Sequence, residues 1–197
     1  MLNILKKIYK NWLNNKWILH SLPSSIWFNF HYLPIKQAIH LPILLYKPKL
    51  LECKGSIQID TNQIKFGMII LGKFICSLYP NDGITFENHG GRIIFKGNAL
   101  IGNSSFISIG KTANLTIGNQ FRINAALKLA CYYNINFGNG VEIGWDSLIM
   151  DTDFHQLIST SKNEGIQKKD YGAISIGNDC WIATKALVFK NTVLPSN

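Results

Sequence analysis

A histidine preceded by two aspartates is the most suggestive chemical group in this sequence. His155 ends the segment DTDFH, which also contains Asp151 and Asp153. A neutral imidazole accepts a hydroxyl proton near neutral pH, and general-base catalysis of this kind contributes about 10²–10⁴ in rate. The carboxylates could orient the imidazole as in a catalytic triad, or they could close Asx turns. The spacing alone leaves both roles open, and it leaves His155 open to being an ordinary surface residue.

The cysteines do not suggest a metal or redox centre. Cys53, Cys76, Cys131 and Cys180 are far apart in the chain, whereas zinc and thioredoxin-like sites use closely paired cysteines. We therefore expect reduced thiols that fill space in a cytosolic protein, and no metal site. No serine or cysteine lies in a recognisable nucleophile elbow. This favours direct transfer between two bound substrates over a covalent enzyme intermediate.

Positive charge is concentrated at the start of the chain. Residues 1–54 contain eight lysines against the single acid Glu52, so this segment carries +7 of the total +9. A nucleic-acid surface would normally be built into the folded body, which makes nucleic acid a poor expectation. The charge fits either a solvated helix face or attraction to an anionic membrane surface or substrate.

The same segment predicts a short amphipathic helix, because Leu5, Ile8, Trp12 and Leu19 recur at helical spacing. Histidines and prolines interrupt the apolar stretch that follows, so we expect no membrane-spanning helix and a cytoplasmic protein. Two interpretations of the helix remain. It could cap the open end of the fold, or it could lie on the inner face of the membrane.

A six-residue repeat begins near residue 93 and predicts the fold class. Neither an amphipathic helix nor a simple hairpin meander has this period. It is typical of a chain wound around a triangular prism, in which each hexad forms one short strand and one corner. The apolar positions fall in four registers: Phe95, Ile101 and Ile107; Ile117, Ile123 and Leu129; Phe137, Ile143 and Ile149; Ile176, Ile182, Val188 and Leu194.

The largest break in the repeat releases a polar loop over residues 151–173. His155 therefore lies where a rigid coil ends and an excursion begins, a position in which a loop can cover a bound acceptor. The fold class is mainly β, a parallel β-helix with a partly helical N-terminal arm. The period does not determine the handedness of the winding.

The hexads and two segments, IGWDSLIMDTDFHQL and ISIGNDCWIATKALVFKNTVL, are similar to the hexapeptide-repeat acyltransferases. The resemblance is closest to the bacterial O-acetyltransferases of capsule and surface polysaccharides. It covers roughly residues 90–197, and more loosely SLPSSIWFNFHYLPIKQAIHLPILLY in the arm. It implies a left-handed β-helix, a homotrimer, and acetyl-CoA as co-substrate in the cleft between neighbouring prisms.

The resemblance also implies roles for individual residues. His155 matches the catalytic histidine of the family, with Asp153 and Asp151 as its candidate partners. The asparagine that contacts the acceptor in related sugar acetyltransferases corresponds loosely to Ala126, with Asn124 nearby. Trp145 and Asp146, in the segment GWD, are further candidates for substrate binding.

Three residues are candidates for binding CoA. Trp181 follows the inward position Cys180, so alternation directs its indole outward, either toward the pantetheine arm or into a trimer contact. Ala183 stands where the family commonly has glycine. Lys185, together with Lys190, could meet the CoA phosphates or could simply be solvated.

We therefore predict an arm over residues 1–54 and an acyltransferase domain over residues 55–197, with irregular strands over residues 55–92. The chain stops at Asn197, where the family usually continues, so the resemblance implies a C-terminally short copy. The predicted activity is O-acetylation of a surface-polysaccharide sugar or its precursor. The alternatives are acetylation of an amino sugar or a small-molecule drug, and a β-helix scaffold without catalysis.

Overall fold

Successive short strands lie on three different sheets, so that three strands and three turns complete one coil. The computed structural model describes residues 2–155 and 169–197, with side chains described from Trp17 onward. In chain order, coil by coil, the strands are β1 (Ile43–Leu45), β2 (Pro48–Cys53), β3 (Ser56–Ile59); β4 (Ile69–Lys73), β5 (Ile84–Asn88), β6 (Arg92–Phe95); β7 (Ala99–Asn103), β8 (Ser105–Ile109), β9 (Asn114–Ile117); β10 (Phe121–Ala125), β11 (Lys128–Cys131), β12 (Asn134–Phe137); β13 (Glu142–Ile143), β14 (Leu148–Met150), β15 (Ile174–Ile176); β16 (Trp181–Ile182), β17 (Leu187–Phe189), β18 (Val193–Leu194).

Each sheet takes one strand from every coil. Sheet A has the order β1-β4-β7-β10-β13-β16, sheet B the order β2-β5-β8-β11-β14-β17, and sheet C the order β3-β6-β9-β12-β15-β18. Neighbouring strands are parallel. The protein is thus mainly β and has the stacked architecture of a parallel β-helix, as the repeat predicts. We name the three edges of this prism the A–B, B–C and C–A corners, after the sheets that they join.

The core confirms the inward positions of the repeat. All thirteen hexad positions are buried except Leu194, which lies on β18, the last strand of sheet C. Phe121 and Phe137 pack at 5.0 Å between ring centroids inside the prism. Each fully buried side chain of this size stabilises the fold by about 1.5–3 kcal/mol, so the column of inward residues holds the coils together.

The coils begin earlier than the sequence predicts. β1 and β2 lie within the stretch assigned to the arm, and residues 55–92 contribute strands to all three sheets. The irregularity expected there is limited to a register shift between Leu71 and Lys73 in β4 and to the segments between strands. Insertions at residues 60–68 and 74–83 break the six-residue period, and the buried Asn103 fastens the second insertion. Its Oδ1 accepts the amides of Ile75 and Cys76 at 3.0 and 3.2 Å.

An asparagine ladder runs along the C–A corner. The Oδ1 of Asn119 accepts the amide of Asn98, that of Asn139 accepts the amide of Asn119, and that of Asn178 accepts the amide of Asn139, each at 2.8 Å. Each side chain thereby satisfies a backbone donor in the preceding coil. The ladder explains why the pair Gly-Asn recurs at this corner.

The described helices are α1 (Leu2–Tyr32) and α2 (Ile35–Ala38). α1 packs against β1, the first strand of sheet A, so it closes one end of the prism as the capping interpretation predicts. Neither helix, over the residues described, combines the length and the apolar character needed to cross a bilayer.

Candidate functional site

The A–B corner repeats one backbone conformation in four successive coils. Ser104, Ala126, Asp146 and Lys185 all have a positive φ, between 57° and 60°. Amide-to-carbonyl hydrogen bonds stack these turns, among them Lys185 N to Trp145 O at 3.0 Å. Non-glycine residues tolerate this left-handed conformation only at a cost. The repeated turn therefore places the side chains of Asp146 and Lys185 in equivalent positions, one above the other.

A cleft of about 160 Å³ lies on sheet A beside this corner. It brings together three predicted site residues, Asn124, Trp145 and Trp181. Trp181 is 78% exposed, as the alternation predicts, and it forms an apolar wall. Arg122 donates from Nε to the Oδ1 of Asn124 at 3.1 Å. The cleft thus combines an exposed indole with polar groups that are already ordered.

Ala183 and Lys185 lie in the turn that follows Trp181. The carbonyl oxygen of Ala183 accepts the Ser147 hydroxyl at 3.3 Å, while both Ala183 and Lys185 are exposed. An exposed indole followed by an exposed ammonium suits a ligand with an apolar arm and anionic groups. The A–B corner therefore presents one apolar and one cationic side chain to solvent.

Asp146 is held by an ion pair on the same corner. Its Oδ1 lies 2.7 Å from the Nζ of Lys128. The hydrogen bond from Lys128, reinforced by the charges of Lys128 and Lys185, lowers the pKa of Asp146 below its ordinary value. The carboxylate therefore stays ionised and is already engaged, which favours a structural or electrostatic role over proton transfer.

We predict that Lys128→Met raises the pKa of Asp146 toward the ordinary value of about 3.9. Carboxyl NMR titration of the intact chain measures this. Because the folded pKa is depressed, the stabilisation is present above the unfolded pKa and is lost as the pH falls through the folded pKa. Lys96→Met removes another exposed lysine and should leave the titration unchanged. An ordinary pKa for Asp146 in the unmodified chain would contradict the prediction.

At the B–C corner, Asp151 is a fully buried carboxylate with backbone partners. Its Oδ1 accepts the amide of Tyr132 at 2.7 Å and its Oδ2 accepts the amide of Tyr133 at 2.9 Å. Both amides belong to the equivalent turn of the preceding coil. Among the described residues no hydrogen bond joins Asp151 to His155. The carboxylate thus holds the turn of the preceding coil, which is neither an Asx turn in its own segment nor a bond to the imidazole, the two roles that the sequence left open.

Asp153 fastens the base of the predicted loop. Its carboxylate pairs with the ammonium of Lys190, which also donates to the carbonyl oxygen of Lys169 at 3.0 Å. The backbone closes beside it, because Asp153 N donates to Asp170 O at 2.7 Å and Thr152 bridges Tyr171 in antiparallel fashion. Lys190, predicted as a contact for CoA phosphates, is thus engaged at the loop base. Residues 156–168 of the predicted loop lie outside the described residues.

His155 is exposed and directly follows an anchored residue. Phe154 has a φ of 58°, donates its amide to the Thr152 hydroxyl at 3.1 Å, and packs edge-on against Tyr132 at 4.7 Å. These contacts fix the backbone that carries the imidazole. Neither Asp151 nor Asp153 hydrogen-bonds the imidazole within the described part of the chain.

A groove of about 560 Å³ crosses sheet B and reaches Phe154. Phe106, Leu148 and Met150 give it an apolar floor. Its polar side chains lie at the end near Phe154: the Ser108 hydroxyl donates to Glu87 Oε1 at 2.5 Å and lies 2.9 Å from the hydroxyl of Tyr132, on which Phe154 packs. An apolar floor with a carboxylate and two hydroxyls at one end fits a ligand rich in hydroxyl groups.

The sequence did not identify the polar end of this groove. Ser108 alternates with inward residues on β8 and is therefore predictably outward. Its neighbours Glu87 and Tyr132 come from other coils, and the strand register that aligns Glu87 with Ser108 is not visible in the repeat.

The predicted site residues thus form two groups on two corners of one prism, with sheet B between them. The A–B group contains Asn124, Trp145, Asp146, Trp181, Ala183 and Lys185, whereas the B–C group contains Asp151, Asp153 and His155. One copy of the chain does not gather both groups at a single cleft.

No family model, curated protein or solved structure matches this chain. Within residues 2–155 and 169–197, no group of three or more His, Cys, Asp or Glu side chains is arranged to hold a metal ion. Burial raises the pKa of the Cys131 thiol, and the carboxylate of Asp151 adds to this effect. Cys131 therefore acts as a space-filling core residue and not as a nucleophile.

Proposed function

We propose that this chain is an acetyltransferase that moves an acetyl group from acetyl-CoA to a hydroxyl of a cell-surface polysaccharide sugar or its precursor. The observation that carries the proposal is the position of His155. It is the next residue after Phe154, which lines the groove on sheet B and packs against Tyr132 at the B–C corner. A base held beside an acceptor groove is the minimum that hydroxyl acylation requires.

The proposed family is that of the hexapeptide-repeat acyltransferases, with left-handed winding. Its support is the sequence resemblance together with the three-sheet parallel architecture. We place the enzyme in the cytoplasm, where acetyl-CoA is available. We propose no nucleic-acid partner, because the excess positive charge is concentrated in residues 1–54 and is not spread over the later coils.

A homotrimer would complete the site. Sheet B, which separates the two groups of site residues, exposes Leu187 by 64% and Phe189 by 43%. Apolar side chains in such a position favour burial against another copy. In a closed ring each copy presents one corner to the next, so the A–B corner of one copy can meet the B–C corner of its neighbour. Trp181 and Lys185 would then bind acetyl-CoA near the neighbouring histidine.

The proposed reaction is direct transfer in a ternary complex. The imidazole of His155 takes the proton of the acceptor hydroxyl while that oxygen attacks the thioester carbonyl carbon. The tetrahedral adduct collapses with cleavage of the carbon–sulfur bond, which releases the CoA thiolate and leaves the ester on the sugar. The imidazolium returns its proton to the thiolate. Asp151 serves by holding the turn of the preceding coil, and Asp153 serves by fastening the base of the predicted loop that contains His155.

The proposal predicts thiol release from acetyl-CoA that depends on a glycan acceptor with free hydroxyls. NMR of the product locates the new acetyl group, which we expect on oxygen. If the acetyl group is found only on nitrogen, the acceptor is an amino sugar or a small-molecule drug, and the proposed O-acetylation is wrong. No acceptor-dependent release with any glycan would favour a scaffold without catalysis.

A matched pair of variants tests the acetyl-CoA side of the same assay. Trp181→Ala should raise the KM for acetyl-CoA by roughly tenfold, because a large aromatic contact contributes about 1.5–3 kcal/mol. Phe66→Ala removes another exposed aromatic ring, on an insertion at residues 60–68, and should leave the KM unchanged. Equal KM values for the two variants would remove Trp181 from the binding cleft.

A further inference from the structure

The buried face of α1 is partly polar, whereas its exposed face is largely apolar. Ser25, Phe28 and Asn29 are fully buried. The Oγ of Ser25 accepts the amide of Leu45 at 2.9 Å, and the side chain of Asn29 bonds both the amide and the carbonyl of Ile43, at 3.1 and 2.7 Å. These bonds satisfy the otherwise open edge of β1. The β-helix therefore uses Phe28 and the small polar residues of α1, and a second set of large apolar residues is left outside.

The exposed residues form one continuous stripe along α1, which we call the outer face: Leu19, Pro23, Ile26, Trp27 and Phe30. The spacing of four, seven, eight and eleven residues from Leu19 keeps them on one side of a helix. Leu19, Ile26, Trp27 and Phe30 are between 42% and 59% exposed. Isolated exposed apolar side chains are common, but a contiguous stripe of this kind marks an interaction site.

Two further apolar residues are exposed soon after α1 in the chain, and Trp27 of the outer face is already ordered. Ile35 and Ile39, in and after α2, are 73% and 60% exposed. Trp27 stacks on His31 at 4.8 Å, and the Nε2 of His31 lies 2.8 Å from the carbonyl oxygen of Cys53. Because these side chains are already ordered, a partner that binds this surface causes little further loss of side-chain entropy, and this favours binding.

The charge of the segment identifies the partner. No acidic residue precedes Glu52, whereas lysines occur at positions 6, 7, 10, 16, 36, 47 and 49. A helix with bulky apolar and aromatic residues on one side and only cationic charge around it matches the interface of an anionic bilayer. We propose that the outer face of α1 docks in the plane of an anionic phospholipid membrane, with the β-helix projecting from it. This proposal does not depend on the acetyltransferase activity.

Flotation of the full chain with phospholipid vesicles tests the proposal. We expect binding to vesicles of equal parts phosphatidylglycerol and phosphatidylcholine, and much weaker binding to phosphatidylcholine alone. The triple variant Ile26→Ser, Trp27→Ser, Phe30→Ser should lower the partition coefficient by roughly tenfold or more, because it removes the apolar contact area. High salt should also weaken binding, because it screens the lysines.

A control triple variant changes three exposed apolar residues on the insertions: Phe66→Ser, Phe74→Ser and Leu78→Ser. It should bind vesicles as the unmodified chain does. Circular dichroism checks that both triple variants remain folded, and Trp27→Phe, which keeps an aromatic ring, should retain binding. Equal vesicle binding by the two triple variants would overturn the proposal. A second result would also overturn it. If the unmodified chain does not bind vesicles, and the outer-face variant has a lower oligomeric mass than the unmodified chain in sedimentation equilibrium, then the outer face is a contact between copies.

Discussion

Replacing His155 with alanine is expected to lower kcat for acetyl transfer by roughly 10²–10⁴-fold, the usual contribution of a general base. The side chain is exposed, so its removal leaves no cavity, and the unfolding transition should stay where it is. The measurement is the initial rate of acceptor-dependent CoA release at saturating acetyl-CoA. Because the base acts on the acceptor proton, the KM for acetyl-CoA should change little.

His40→Ala is the matched control for this prediction. His40 is also exposed, but it follows α2 at the capped end of the prism, far along the chain from the B–C corner. Its replacement should leave kcat unchanged. If both variants transfer acetyl at the unmodified rate, while that rate depends on the acceptor, the proton is removed by another group and His155 has no part in the reaction.

The six-residue repeat predicted the later coils well because each hexad carries its own information. An apolar residue at a fixed position is enough to fill one face of the prism, whatever lies elsewhere in the chain. The first coils were missed because their contacts are tertiary. Asn103 bonds the carbonyl oxygen of Pro80, 23 residues earlier in the chain, and Asn29 completes the edge of β1. No local pattern of side chains reveals such partners.

The sequence also could not predict which of the candidate site residues lie next to one another in the fold. The order of residues along the chain placed Trp145 and His155 close together, yet a whole strand of sheet B separates them around the prism. The polar end of the groove is built from Glu87, Ser108 and Tyr132, which approach one another only because successive coils stack. Sequence therefore identified residue types with useful chemistry, and the coil geometry decided which of them share a surface.

Replacing Asp151 with alanine should lower the free energy of unfolding by about 2–6 kcal/mol, since a buried amide that loses its acceptor costs about 1–3 kcal/mol and two amides are affected. The amides of Tyr132 and Tyr133 both lose the fully buried carboxylate that accepts them. Asp151→Asn should cost about half as much, because the amide oxygen can still accept one of the two bonds. Urea unfolding of each variant measures the change.

Asp153→Ala distinguishes a turn-closing carboxylate from an orienting one. Asp153 is a neighbouring aspartate, but it forms a partly exposed pair with Lys190, and such pairs contribute about 0–1 kcal/mol. We therefore expect a small loss of stability for Asp153→Ala and a large one for Asp151→Ala. Folded Asp151→Asn should keep kcat within a few-fold of the unmodified chain. A variant at Asp151 that unfolds normally in urea but has lost activity would show instead that this carboxylate orients the imidazole.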